Sequence, residues 1–109
     1  MYEKITNYLD LFRKIEAGTA ADSGEVKAFE NDFMQSGRMD PDGIVLMGNR
    51  GWASRSAIKA DTPSMTAEEV CACISAFVMQ ESFCQGILLD LIKQGVLVPL
   101  LERLKTLEG

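Results

Sequence analysis

The sequence contains no histidine, and this absence removes several classes of mechanism. A Ser-His-Asp triad, a histidine-ligated zinc ion and a histidine pH switch all require an imidazole, so none of them is open to this chain. The chain also lacks an apolar run near the roughly 20 residues that cross a bilayer, and its first residues do not resemble the apolar segment of a signal peptide. We therefore expect a cytoplasmic protein that does not enter the membrane.

Cysteine is scarce, with 3 residues at positions 71, 73 and 84. An odd count without a secretory signal is typical of reduced thiols in a cytosolic protein. Cys71 and Cys73 are two residues apart, so on a helix their side chains point about 200° apart and cannot share a tetrahedral metal ion. We expect no disulfide, no metal and no cofactor.

The composition is that of an ordinary globular protein. Hydrophobic residues make up 47% of the 109 residues and charged residues 25%, with a net charge of −5. This length predicts a single domain over residues 1–109. Residues 61–109 hold three basic and seven acidic side chains. Since non-specific binding to nucleic acid needs a basic face and the charge balance of this chain is acidic, we expect no direct binding to nucleic acid.

Apolar residues at helical spacing predict two helices in the first third of the chain. The first runs from about Tyr2 to Glu16 and ends at Ala17-Gly18. The second follows an N-cap at Asp22 or Ser23 and ends at Gly37. Their predicted buried stripes are Ile5, Tyr8, Leu9, Phe12 and Ile15 in the first helix, and Val26, Phe29 and Phe33 in the second.

The clearest local signal is the start of a helix after Thr66. Glu69 lies three residues later and completes a capping box, while Met65 and Val70 have the spacing of a hydrophobic staple. A bend near Glu81-Ser82 is predicted to restart the helix, because Ser82 and Gln85 repeat the capping-box spacing. Gly95 is predicted to end that helix, and a last helix begins near Pro99.

Residues 38–60 break the helical pattern. Asp40-Pro41-Asp42-Gly43 has the composition of a turn, and the apolar, β-branched run Ile44-Val45-Leu46-Met47 is typical of a strand. Gly48-Asn49-Arg50-Gly51 predicts a second turn, and residues 54–60 are ambiguous between helix and strand. The predicted fold is mainly α with a small β element: a compact bundle of about five helices plus a short hairpin or irregular insert over residues 38–60.

One cationic stretch is the candidate binding site. Between Gly48 and Ala60 the chain has three cations and no acid, and the only tryptophan lies among them. Arginine beside an aromatic ring suits an anionic ligand or a protein partner. The alternative is that the ring packs at the edge of the core, half-buried, while the cations are solvated. The candidate ligand or partner contacts are Arg50, Trp52, Arg55 and Lys59; no catalytic residue is predicted.

The segment Phe83-Cys84-Gln85-Gly86, with Gly95 and the closing Leu100-Leu101-Glu102-Arg103-Leu104, resembles a family of small, uncharacterised bacterial and phage-associated proteins. That family is similar in an Asp-x-Gly turn, here shortened to Asp42-Gly43, and in a downstream Trp, here Trp52. Its helix carries Arg-x-Asp-Arg-Phe-x-x-Gly, whereas this chain has Met79, Glu81 and Ser82 at the charged positions. The resemblance implies an architecture and no activity.

Three functions remain open after the sequence alone. The leading hypothesis is a small acidic, non-enzymatic interaction protein with a protein partner, for example a phage or mobile-element inhibitor whose acidic residues occupy a basic groove of host machinery. The second is a domain that binds or transforms an anionic small molecule with the 48–59 loop. The third is a structural homo-oligomer that buries surplus apolar surface.

Overall fold

In a computed structural model of the chain, which describes residues 3–18 and 23–108, helices pack around one buried cluster. The helices are α1 (Glu3–Thr6), α2 (Leu9–Glu16), α3 (Ser23–Gln35), α4 (Gly43–Arg50), α5 (Arg55–Asp61), a 3-10 turn (Thr62–Ser64), α6 (Ala67–Glu81), α7 (Ile87–Lys93) and α8 (Leu97–Glu108). No strand occurs in the described ranges. The predicted α+β fold, with a small β element over residues 38–60, is therefore wrong, and the described part of the chain is all-helical.

The first predicted helix is divided in two by a turn at Asn7 and Tyr8. The predicted stripe survives this break, since Ile5 and Phe12 are both fully enclosed on the same side of α1 and α2. The predicted start at Tyr2 lies outside the described residues. The turn places the Tyr8 hydroxyl 2.5 Å from Asp32 on α3, to which it donates a hydrogen bond.

Helix α3 buries the predicted apolar stripe against α1 and α2. The ring of Phe29 meets the ring of Phe12 edge-on with centroids 4.8 Å apart, and it meets that of Tyr8 at 5.3 Å. Such edge-to-face pairs are favoured because the positive ring edge faces the negative ring face. The two predicted N-cap candidates, Asp22 and the side chain of Ser23, lie outside the described part of the structure.

Residues 43–50 form α4 where a strand over residues 44–47 and a turn over residues 48–51 were predicted, and close packing on α6 explains the difference. A Cβ added to Gly43 would lie 2.3 Å from the carbonyl oxygen of Ala72, so only glycine allows the two backbones to come this close. Met47, one turn later, is also buried. The strand preference of β-branched residues is weak and depends on context, and here the helix contact outweighs it.

The ambiguous stretch after Ser54 is also helical. The Ser54 hydroxyl accepts a hydrogen bond from the amide of Ala57 at 3.1 Å, which makes Ser54 the N-cap of α5. The buried hydroxyl of Thr62 donates to the carbonyl of Ile58 where α5 passes into the 3-10 turn.

Helix α6 is the central helix, and its predicted capping box is confirmed. The Thr66 hydroxyl accepts from the Glu69 amide at 3.2 Å, and the Glu69 carboxylate accepts from the Thr66 amide at 2.9 Å. Met65 and Val70 are buried as a hydrophobic staple requires. Every residue from 70 to 78 is buried, so other helices surround this part of α6.

The restart after α6 differs from the prediction. Helix α7 begins at Ile87, and the carboxylate of Glu81 accepts from the amides of Gly86, its N-cap residue, and Leu88 at 2.9 Å each. Ser82 and Gln85 are therefore not its capping pair. The predicted ending at Gly95 is confirmed, because α7 ends at Lys93 and Gly95, with φ +75, follows its C-cap residue Gln94.

The last helix, α8, begins at Leu97, so Pro99 lies in its first turn. Arg103 on α8 donates to the carbonyl of Met65 at 2.8 Å and so ties this helix to the start of α6. Within residues 3–18 and 23–108, no helix has both the length and the apolar character needed to cross a membrane.

Candidate functional site

A cavity of about 480 Å³ opens where α4, α5, α6 and α7 meet, and we call it the Trp52 cavity. Its size lies within the range of small-molecule and side-chain binding sites. It is lined by Ile44, Met47, Gly48, Trp52, Ala53, Ser54, Arg55, Ile58, Phe77, Gln80, Ile87 and Leu91.

The turn after α4 positions Trp52. Gly51 adopts φ +76, and its amide donates to Gly48 while the Trp52 amide donates to Met47 at 2.9 Å. These two bonds form a Schellman motif, the commonest glycine ending of a helix. The motif turns the chain back so that the indole lies beside Met47 on the cavity wall.

Trp52 is held at its polar end as well. Its indole nitrogen donates a hydrogen bond to the carboxylate of Asp61, at the end of α5, over 2.7 Å. Only 5% of the residue is exposed, so the expectation of a half-buried ring is wrong. The ring is part of the core and contributes to the cavity wall. It can be buried because the Asp61 carboxylate accepts a hydrogen bond from the indole N–H, the only donor of the side chain.

Arg55 is the charged residue on the cavity wall. Its side chain is 43% exposed and lies 3.9 Å from the carboxylate of Asp90 on α7, whose side chain is 57% exposed. An ion pair this long and this wet contributes little to stability. The guanidinium is therefore available to a second carboxylate at the mouth of the cavity.

The other two predicted contact residues lie elsewhere. The Arg50 guanidinium pairs with Glu69 at 3.2 Å, at the start of α6. The amine of Lys59 lies near Gly95 and the carboxylate of Glu16, away from the cavity wall. Of the four predicted contacts, the structure brings Trp52 and Arg55 together and separates Arg50 and Lys59 from them.

Sequence reasoning missed most of the apolar wall. Met47, Ile58, Phe77 and Leu91 are buried residues on four different helices, and nothing in their local sequence marks them as neighbours. One sequence signal could have predicted the position of Trp52. The apolar run of residues 44–47, followed by Gly51 and the large apolar Trp52, is compatible with a helix that ends in a Schellman motif as well as with a turn.

Three titratable groups outside the cavity, Cys71, Cys73 and Tyr8, have raised pKa values. Burial raises the pKa of the Cys71 thiol to about 11 and that of Cys73 to about 12. Burial, followed by the hydrogen bond to Asp32, raises the pKa of Tyr8 to about 12. Raised values keep all three groups protonated near neutral pH, so the thiolate and phenolate forms are disfavoured.

Five acidic residues of the second half of the chain have separate local partners. Asp61 accepts from Trp52, Glu69 pairs with Arg50, and Glu81 caps α7. Asp90 pairs with Arg55, and Glu102 lies 3.7 Å from Arg13 on α2. These carboxylates bind different helices of the same chain.

Residues 49–109 match the model of a family of unknown function (DUF6508). This is more than half of the chain, and it includes Trp52, Arg55 and helices α5 to α8. The expected resemblance to an uncharacterised family is confirmed for this part. Asp42-Gly43 and the opening helix lie outside the matched residues. No curated protein and no solved structure matches the chain.

Proposed function

The chain belongs to the DUF6508 family, and we propose that it is a non-enzymatic interaction module that holds an apolar side chain of a protein partner in the Trp52 cavity. The observation that carries this proposal is the cavity itself, with buried apolar groups on its wall and Arg55 at its mouth. Apolar pockets with one or two convergent polar groups are typical of binding sites.

A protein partner fits this surface better than an enclosed small molecule because apolar surface continues beyond the mouth. Ile44 on the cavity wall is 51% exposed, and its neighbour Val45 is 61% exposed. Exposed apolar side chains grouped around a cavity are typical of contact surfaces between proteins. An inhibitor that mimics nucleic acid with one acidic face has less support, since five of the acidic residues have partners on separate helices.

The cavity wall suits recognition rather than acid–base chemistry. Its polar side chains are those of Ser54, Arg55 and Gln80, besides the indole nitrogen. Ser54 caps α5, and the indole donates to Asp61. The guanidinium of Arg55 can orient a carboxylate next to an apolar anchor of the partner.

The intrinsic fluorescence of Trp52, the only tryptophan, tests this proposal directly. The probe is N-acetylphenylalanine, which carries one aromatic ring and one carboxylate. We expect a saturable change in Trp52 emission that weakens when Arg55 is replaced, in Arg55→Gln, and when the probe carboxylate is amidated. Lys59→Gln is the matched control and should bind the probe unchanged. A linear, unsaturable response would contradict the proposal.

A further inference from the structure

We propose that the partner of the Trp52 cavity is a second copy of this chain, whose Phe83 ring enters the cavity while its own cavity receives Phe83 in return. This inference rests on the proposed function and names the partner of the same site. It begins from Phe83, which is 92% exposed, the highest exposure given for any large hydrophobic residue of the described ranges.

The loop that carries Phe83 is rigidly held. The Phe83 and Cys84 amides both donate to the carbonyl of Gln80, at 3.0 and 2.8 Å. On the other side of the loop, Glu81 accepts from the amides of Gly86 and Leu88. A fixed loop presents its aromatic ring without paying the entropy of ordering a flexible segment on binding.

The loop that carries Phe83 borders the cavity. Gln80 and Ile87 line the cavity, and they are the residues that flank the Phe83 loop at the end of α6 and the start of α7. A two-fold interface must use the same patch on both subunits, and a projection next to a hole satisfies this condition. Each copy then supplies one ring and one cavity.

The charges at the mouth allow this arrangement in a chain of net charge −5. Arg55 and Asp90 form an exposed pair of opposite sign beside the cavity. Rotation by a two-fold axis can bring Arg55 of one copy towards the Asp90 carboxylate of the other, so the mouth is complementary to itself.

The first test is the molar mass of the intact chain in solution over a concentration series. We expect a monomer–dimer equilibrium ending at twice the 12.0 kDa of one chain. Phe83→Ala should weaken dimerisation at least about 30-fold, the effect of losing a central aromatic anchor. Met34→Ala is the matched control, since Met34 is 51% exposed on α3 and does not line the cavity.

The second test is complementation, which only reciprocal insertion passes. Ile44→Glu places a charge at the mouth of the cavity, where the entering ring would desolvate it, and this variant should be monomeric. An equimolar mixture of Phe83→Ala and Ile44→Glu keeps one intact ring and one intact cavity. We expect this mixture to form heterodimers under conditions in which each variant by itself is monomeric.

The outcomes separate this inference from the proposed function. A chain that is monomeric at every concentration, or a Phe83→Ala variant that dimerises like the original, would overturn the second-copy inference. Phe83→Ala also leaves the cavity empty, so its Trp52 emission should still respond to N-acetylphenylalanine. Binding of the probe without dimerisation would leave the proposed function standing. A dimeric original chain whose Phe83→Ala variant, with its cavity empty, does not bind the probe would count against both.

Discussion

The indole nitrogen of Trp52 donates a hydrogen bond to the carboxylate of Asp61 over 2.7 Å, and this contact joins the turn after α4 to the end of α5. The ring is 5% exposed and packs on the cavity wall with Met47 and Ile58. Trp52 thus holds the segment before α5 in place through its hydrogen bond, and its ring packs in the core at the wall of the cavity.

Trp52→Ala should therefore lower the free energy of unfolding by about 3–5 kcal/mol, the usual cost of truncating a large core aromatic. Asp61→Asn is the milder comparison, because the amide oxygen can still accept from the indole. Urea unfolding followed by circular dichroism measures both variants without relying on tryptophan emission. A Trp52→Ala chain as stable as the original would show that the ring is not part of the core.

Gly43→Ala tests the close approach of α4 to α6. The new Cβ would lie 2.3 Å from the backbone oxygen of Ala72, so the helices must separate and the chain should lose stability. Overpacking of this kind costs about 1–3 kcal/mol. Gly48→Ala in the same helix is the control, since its Cβ meets nothing within 4 Å and should add up to about 1 kcal/mol. Equal effects of the two substitutions would contradict this packing.

Thr66→Ala tests the capping box of α6. Loss of the Thr66 hydroxyl frees the amide of Glu69, and removal of such a cap costs about 1 kcal/mol. Thr106→Ala is the matched control: the Thr106 hydroxyl donates to the carbonyl of Glu102 within α8, and alanine is the better helix former there. We expect a lower thermal midpoint for Thr66→Ala only. An unchanged midpoint would remove the capping box from the determinants of stability.

The contrast between Thr66 and Gly43 shows what a sequence predicts. The capping box depends on groups three residues apart, so the sequence contains everything needed to predict it. The conformation of residues 43–50 depends on whether Gly43 can touch Ala72, a contact made only after α6 is in place. Propensity therefore favoured a strand, and tertiary packing selects a helix.

The candidate site divides in the same way. Trp52 and Arg55 were predicted from composition, because an aromatic ring among cations is unusual in an otherwise acidic chain. The separation of Arg50 from them could not be predicted, since its partner Glu69 was already explained by the capping box. The carboxylate of Glu69 has two oxygens: one accepts from the Thr66 amide and the other pairs with Arg50.

The alkaline limit of stability should follow from Tyr8, Cys71 and Cys73. In the folded chain their pKa values are raised, to about 12, 11 and 12, whereas unfolding returns them to about 10, 9 and 9. Below about pH 8 both states are protonated and stability does not depend on these groups. Above it the unfolded state loses protons first, so the free energy of unfolding should fall towards pH 12. Tyr8→Phe should make this decline shallower; an identical decline would exclude Tyr8.

The three thiols should differ sharply in reactivity. Cys71 and Cys73 are buried in α6, with 6% and no exposure, whereas Cys84 is exposed in the loop after α6. Since the thiolate is the reacting form, burial protects the first two both by blocking access and by keeping the thiol protonated. We expect a thiol reagent to modify one cysteine quickly in the folded chain and all three in urea, and Cys84→Ser to abolish the fast phase. Fast modification of two or three thiols in the folded chain would show that α6 opens far more readily than its buried position implies.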